Sequence, residues 1–406
     1  MESHVVFVIA EILFLCIFLF IMLFGPSPTF KNTIVSQAYD FLTDGMWKKG
    51  YNALRTVCGT TVANSASRLV RCLTSEAHPL IQIFYFVILT AGVAVFLVNG
   101  YPRLPTPLLG PFQTYVTIPL TIFSAYASFY LASFSDPGKV TSKNVARCLE
   151  VFEYDYMLFT PRTCPTCLII KPARSKHCSL CRACVAKNDH HCAWINNCVG
   201  HNNHRYFLAY LVSTAFITIY GSYVIFEILR GEVNERGVWN MLVREAPGAP
   251  TRKLLSRDEP LLVALLVFIA LACILAIVFG TYQFYLVLMG ITTNETTKWE
   301  DIHAIIKERG YIDICRPQKN RGSPISGSSG GNSATNVRQR RPPRASTSLV
   351  PNSSVPSWRD EADDESGGEW ETLETIRVRS WNELHNIYDR GAWQNLLVTL
   401  FPPKIN

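Results

Sequence analysis

The sequence predicts an α-helical polytopic membrane protein: about five transmembrane helices, with a cysteine-rich domain on the cytosolic side between the third and fourth spans. Three observations carry that prediction. Five long stretches of the 406 residues are almost free of charge: Val5–Phe24, Leu80–Val98, Phe112–Phe134, Tyr206–Phe226 and Leu261–Met289. Lys and Arg are spread unequally over the segments that join them. Seven of the thirteen cysteines fall between Cys164 and Cys198.

A helix rises about 1.5 Å per residue, so ~20 apolar residues cross the hydrocarbon core. The last four stretches meet that length outright. The first is interrupted by Glu11, which leaves an uncharged run from Ile12 of signal-peptide length. No Lys or Arg precedes that run, and "GPSPTF" after it is a poor small-residue cleavage site. It is read as a retained span within residues 1–25, with its N-terminus outside the cytosol. Glu11 then lies near the outer interface, within reach of water.

Orientation follows from the basic residues. Gly25–Pro79, Ser135–Arg205 and the chain after Gly290 carry 6, 10 and 15 Lys/Arg, against 1 and 6 in Asn99–Pro111 and Glu227–Pro260. The positive-inside rule places the first three in the cytosol. The chain thus divides into an N-terminal span (1–25), a cytosolic loop (26–79), the second and third spans (80–134) and a cytosolic cysteine-rich domain (135–205). The fourth and fifth spans with a lumenal loop (206–289) and a cytosolic C-terminal region (290–406) complete it. The net charge of +7 belongs to this membrane arrangement and gives no support to nucleic-acid binding, whose mark is a basic stripe on a soluble domain.

In the C-terminal region, "ITTNETTKWEDIHAIIKERGY" reads as a polar junction followed by a short amphipathic helix. The linker 317–357, rich in Ser, Gly, Pro and Arg, has too few large apolar residues to order and is expected to be disordered. Its basic run Arg338–Arg344 reads as a contact for anionic lipid or as a solvated stretch. Order is expected again over Glu369–Leu400.

The cysteine-rich segment reads "CPTCLIIKPARSKHCSLCRACVAKNDHHCAWINNC". In a reducing compartment such density signals metal binding or catalysis rather than disulfides. Cys16, Cys58, Cys72, Cys148, Cys273 and Cys315 are scattered and carry no pattern. A C-x2-C knuckle turns two thiolates toward one zinc, which takes four S/N ligands in a tetrahedron. Two such ions need eight ligands. The seven clustered cysteines with His177, His190 and His191 offer ten, so two are left over.

Spacing alone does not name the two. In an extended stretch residues i and i+2 share a face and i+1 points away. His190 and Cys192 can therefore project together, with His191 on the metal side. A thiolate is the nucleophile, a neighbouring imidazole takes its proton, and Asp189 can hold the imidazole in one tautomer. The competing reading is a single zinc module in which Cys192 is a spare ligand. His201 and His204, beyond the last cysteine, are expected to face solvent or pack at the interface rather than bind metal.

At this point the residues resemble a known family. "DHHC" at Asp189–Cys192 is similar to the motif of the DHHC-type protein S-acyltransferases, or palmitoyltransferases. "SDPG" (Ser135–Gly138), "TTNE" (Thr292–Glu295) and "NIYDRGAWQN" (Asn386–Asn395) resemble that family's DPG, TTxE and C-terminal motifs, in the same order. The resemblance implies two structural zinc ions, one held by Cys164, Cys167, His177 and Cys184, the other by Cys178, Cys181, His191 and Cys198. It implies Cys192 as acyl-accepting nucleophile, supported by His190 and Asp189, with a long-chain acyl-CoA such as palmitoyl-CoA as co-substrate. The partners implied are membrane proteins with cytosolic or juxtamembrane cysteines, the bilayer itself, and no nucleic acid.

Thr292, Thr293 and Glu295 are expected to pack or cap at the end of the last span, and Tyr388 and Asn395 to anchor the tail. Two departures stand out: Ala193 follows the candidate nucleophile where the family commonly has Pro, and five spans exceed the usual four. The array also resembles a fungal branch resident in the endoplasmic reticulum that acylates SNARE-type proteins. The principal alternative is a membrane-bound two-zinc binding module such as a RING-like ubiquitin ligase. A transporter with a zinc regulatory domain fits less well, since the spans are nearly free of charge.

Overall fold

A computed structural model describes residues 17, 21, 32–75, 79–235, 260–317 and 373–405. The expected first span, apart from Ile17 and Ile21, lies outside them, as do most of the linker 317–357, the run Arg338–Arg344 and residues 236–259. The chain falls into two compact units, Met1–His78 and Pro79–Asn406. In the first, α1 (Ile34–Asp40) runs through a π-helical turn into α2 (Met46–Ser75). Gly59, at φ 82°, breaks α2. That left-handed value is open to glycine because it has no Cβ. The Tyr51 hydroxyl bridges the break by donating to Asn64 Oδ1 at 2.7 Å.

The second unit begins with α3 (Leu80–Asn99) and α4 (Ile118–Phe134), which is entered through a π-helical turn at Gln113–Thr117. A short α5 (Val145–Val151) precedes the cysteine-rich segment, and α6 (His204–Glu235) and α7 (Pro260–Leu288) follow it. Among the described residues, four helical stretches are long and apolar enough to cross a membrane: Leu80–Arg103, Gln113–Phe134, His204–Gly231 and Leu261–Leu288. These are the last four expected spans, and they make this a multi-pass membrane protein.

Against lipid, apolar surface gives helices no reason to associate, so close packing and interhelical hydrogen bonds decide which faces meet. On α4, Ala125, Ser128, Phe129 and Ala132 form a buried stripe at helical spacing. Ser128 shares a 2.6 Å hydrogen bond with Ser213 of α6. Thr117 and Tyr220 pair at 2.7 Å further along. α6 also packs on α7, and Val224, Ile225 and Ile228 share one buried cluster with Leu262.

The cysteine-rich segment is built from five very short strands. β1 (Lys139–Val140), β2 (Lys176–Cys178) and β3 (Ala183–Val185) make one antiparallel sheet in the order β1-β3-β2. β4 (His190–Cys192) pairs with β5 (Asn197–Val199). Beyond α7 the expected amphipathic helix is α8 (Thr293–Arg309). Its Trp299 and Ile302 are buried against the core beneath the cysteine-rich segment, beside Leu158, Phe159 and Cys164.

No strand is expected in the tail from its local pattern. Nevertheless β6 (Ile312–Pro317) pairs antiparallel with β7 (Leu373–Val378), joining the two sides of the linker. Order over the expected 369–400 is seen from β7 through α9 (Ala392–Leu400), which packs on α7.

Candidate active site and metal centres

Two clusters gather the eight ligands that the family resemblance implied: Cys164, Cys167, His177 and Cys184, and Cys178, Cys181, His191 and Cys198. Each is built the same way, from one knuckle and one cross-strand pair. In each knuckle the second cysteine's N–H points to the first one's sulfur at 3.4 Å. The residue after each knuckle, Leu168 or Arg182, turns left-handed to close it. His177 faces Cys184 across β2–β3, and His191 faces Cys198 across β4–β5.

The spacing suits zinc. Zn–S of about 2.3 Å and Zn–N of about 2.0–2.1 Å imply tetrahedron edges of roughly 3.6–3.8 Å. Nδ1 of His177 lies 3.6, 3.2 and 3.8 Å from the sulfurs of Cys164, Cys167 and Cys184. Nδ1 of His191 lies 3.7, 3.3 and 3.7 Å from those of Cys178, Cys181 and Cys198. All four positions of each centre are protein atoms, so the donor set fits a closed, structural ion that fastens the strands.

Because His191 turns to the second cluster, its neighbours His190 and Cys192 project from the other face of β4. Asp189 Oδ2 accepts from His190 Nδ1 at 2.6 Å, and Cys192, two positions on in β4, shares the face of the strand that carries His190. Burial disfavours the imidazolium, yet the bond to Asp189 and the nearby Cys192 outweigh it and hold the His190 pKa up at about 9. Burial likewise opposes the Asp189 carboxylate, but His190 and the Thr293 N–H hold it down at about 2. Cys192 is 6% exposed. It sits among Phe129, Ala132, Ile195, Phe207, Tyr210 and Leu211, between the ends of α4 and α6.

The motifs outside the cysteine-rich segment converge on this trio. Asp189 accepts twice from Thr293, from its N–H at 2.7 Å and its hydroxyl at 2.9 Å. Glu295 accepts from the Thr292 N–H, as a helix-start carboxylate does. It also takes both Nε and Nη2 of Arg174 at 2.6 Å. Arg174 donates further to the Gly290 carbonyl at 2.9 Å and lies over the Tyr388 ring.

The Tyr388 hydroxyl donates to Glu153 O at 2.9 Å, and Asn395 donates to Leu288 O at 2.9 Å. Asn197, the cross-strand partner of Cys192, donates to carbonyls at the end of α4, 2.8 Å to Ser135. Gly200 passes so close to Pro137 of "SDPG" that a Cβ would stand 2.5 Å from its carbonyl oxygen, and only glycine fits.

Two expected outcomes follow. Thr293→Val keeps the shape and the backbone N–H but removes the hydroxyl donor to Asp189. A hydrogen bond to a charged group is worth about 1.5–3 kcal/mol, so turnover at this trio should slow roughly 10- to 100-fold with metal content unchanged. Arg174→Met strands a buried Glu295, and breaking such a pair costs about 3–5 kcal/mol. Calorimetry should record a lower melting temperature, and an unchanged one would remove the clamp from this account.

The geometry has its counterpart among known proteins. The family model described as DHHC palmitoyltransferase matches residues 158–300. The chain is 31% identical over 425 residues to palmitoyltransferase SWF1 of Neurospora crassa, covering 97% of this chain and 91% of that one. The chain belongs to the DHHC palmitoyltransferase family. Palmitoyltransferase swf1 of Schizosaccharomyces pombe is 32% identical over 303 residues (71% of this chain, 79% of that one). Its Emericella nidulans namesake is 29% identical over 412 residues (93% and 92%).

As a DHHC enzyme, the chain is a protein palmitoyltransferase, which sets aside the ubiquitin-ligase alternative. Thr293 was expected to pack or cap, whereas it binds the carboxylate beside the DHHC histidine. His201 and His204, expected to face solvent or to pack at the interface, are buried, each 3% exposed. His201 donates to the Pro403 carbonyl at 2.8 Å and meets the Phe152 ring edge-on. That burial depends on the tail folding over them, which local spacing does not encode.

Proposed function

We propose that this palmitoyltransferase moves a long-chain acyl group from acyl-CoA to cysteines of membrane proteins in two steps through Cys192. The observation that carries the reading is the Asp189–His190–Cys192 arrangement, facing away from both metal clusters and opening onto apolar residues at the ends of α4 and α6. In the first step His190 takes the Cys192 proton, and the thiolate attacks the acyl-CoA carbonyl. The bond to the CoA sulfur breaks, and the proton returns to the leaving thiolate. In the second step a substrate cysteine gives its proton to His190, and its thiolate attacks the acyl-enzyme carbonyl. The bond to the Cys192 sulfur breaks, and the proton passes from His190 to Cys192. One thioester replaces another throughout, so no external energy source is required.

Membrane placement serves the acyl tail, which gains roughly 0.8 kcal/mol for each methylene taken from water. Among known groups, zinc at the two clusters would supply structural fastening, with Cys164, Cys167, His177 and Cys184 holding one ion and Cys178, Cys181, His191 and Cys198 the other. The cysteine-rich domain and the C-terminal region are proposed to face the cytosol, as the Lys/Arg distribution indicates. Residence in the endoplasmic reticulum and SNARE-type substrates belong to the same proposal and rest on the resemblance to the fungal branch.

The test is to incubate the purified full-length protein with labelled palmitoyl-CoA and map the hydroxylamine-labile label by mass spectrometry. Label on Cys192 is expected. A folded, zinc-loaded protein that takes no label, or takes it elsewhere, would overturn the reading.

A further inference from the structure

Behind Asp189, where the ends of α6 and α7 meet the turn before α9, lies a cavity of ≈ 70 Å³. One water needs roughly 10–15 Å³, so the space takes a small tetrahedral anion and not a nucleotide. Arg174, Lys187, His201, His204 and Arg390 line it, and none of its lining residues is acidic.

Arg174 is already matched by Glu295. Lys187 is not. It is mostly buried, and its Nζ donates to the Thr399 hydroxyl at 3.2 Å. Among the described residues no carboxylate forms an ion pair with Lys187 or with Arg390. Burial, aided by Arg174 and Arg390, drives the Lys187 pKa down to about 7, against the upward pull of Glu295 and Asp189, neither of which forms an ion pair with it. His204 is buried with both ring nitrogens lacking a hydrogen-bond partner. The other polar groups at the cavity are committed elsewhere, Tyr388 to Glu153 and Asn395 to Leu288 and Asp389.

We propose that this cavity binds a phosphomonoester group, with Lys187 and Arg390 facing its charge and His204 donating to one of its oxygens. Two cations with no ion-pair partner among the described residues face the space, and they come from two separate elements, the turn before β4 and the turn before α9. The cavity opens where the membrane-capable helices α6 and α7 end, so the phosphate can belong to a lipid headgroup or be free in solution. The proposal is independent of the roles assigned to Cys192 and His190. Occupancy would fasten α9 to the segment that leads into Asp189.

The experiment uses the full-length protein in neutral detergent, measuring equilibrium binding of radiolabelled inorganic phosphate and, separately, of short-chain phosphatidate. Chloride at matched ionic strength and short-chain phosphatidylcholine are the controls. Saturable binding near one per chain is expected, weakened at least tenfold in both Lys187→Gln and Arg390→Gln. Phosphatidate binding places the source in the lipid, and phosphate binding without it places the source in solution. Arg390 is exposed, so its variant decides the matter if Lys187→Gln fails to fold. Absence of saturable binding for either ligand, or binding that Arg390→Gln leaves unchanged, overturns the proposal.

Discussion

Cys192→Ala is expected to abolish palmitoyl transfer, by on the order of 10⁴-fold or more, while both zinc ions stay bound. The separation of effects follows from β4. His191 points to the second metal cluster, whereas Cys192 points into the apolar residues between α4 and α6. Removing one sulfur atom there leaves every proposed metal ligand in place and opens only a small void. Hydroxylamine-labile label from palmitoyl-CoA should vanish while atomic spectroscopy still finds two zinc ions per chain. A variant that keeps its label would transfer the nucleophile's role to another residue, and one that loses zinc would return Cys192 to the ligand set.

Cys178→Ser should behave oppositely, losing one zinc ion, the local fold and activity together. The second cluster holds Cys178 and Cys181 of a knuckle against His191 and Cys198, the central pair of β4–β5. Three-residue strands have little stability of their own, and a structural zinc contributes an apparent 10–16 kcal/mol or so in isolated zinc-finger peptides. The hairpin that carries His190 and Cys192 therefore depends on this ion, with Asn197 fixing its other side to α4. Zinc content should fall from two to one per chain, with a lower melting temperature. Full zinc content with normal activity would contradict the assignment of Cys178.

Both predictions were within reach of the linear sequence, because the features they use are local. Ligands three apart in C-x2-C, and the alternation of His190, His191 and Cys192, are properties of a few neighbouring residues. Strand pairing then realised them: His191 faces Cys198, and the face of β4 that bears His190 and Cys192 turns away from the metal cluster. Thr293 was harder to read. A threonine at a helix start is ordinarily a cap, and only the fold brings it 104 positions back along the chain to Asp189. Arg174 and Glu295, 121 positions apart, carry no local sign of their pairing either. The same holds for β6 and β7, whose partners lie on opposite sides of the linker.

By itself, then, the sequence determined the four described membrane-capable helices, the two Cys/His clusters once the family resemblance was drawn, and the neighbourhood of Asp189, His190 and Cys192 at one short strand. Hydropathy, knuckle spacing and strand alternation act over a few residues, and their energetics are settled within that range. Only the tertiary structure decided what surrounds the site: Thr293 on Asp189, the Arg174–Glu295 clamp, the buried His201 and His204, and the cation-lined cavity beneath the tail. Those contacts join segments far apart in the chain. Their stability comes from desolvation and from pairing that exists only once the segments have packed.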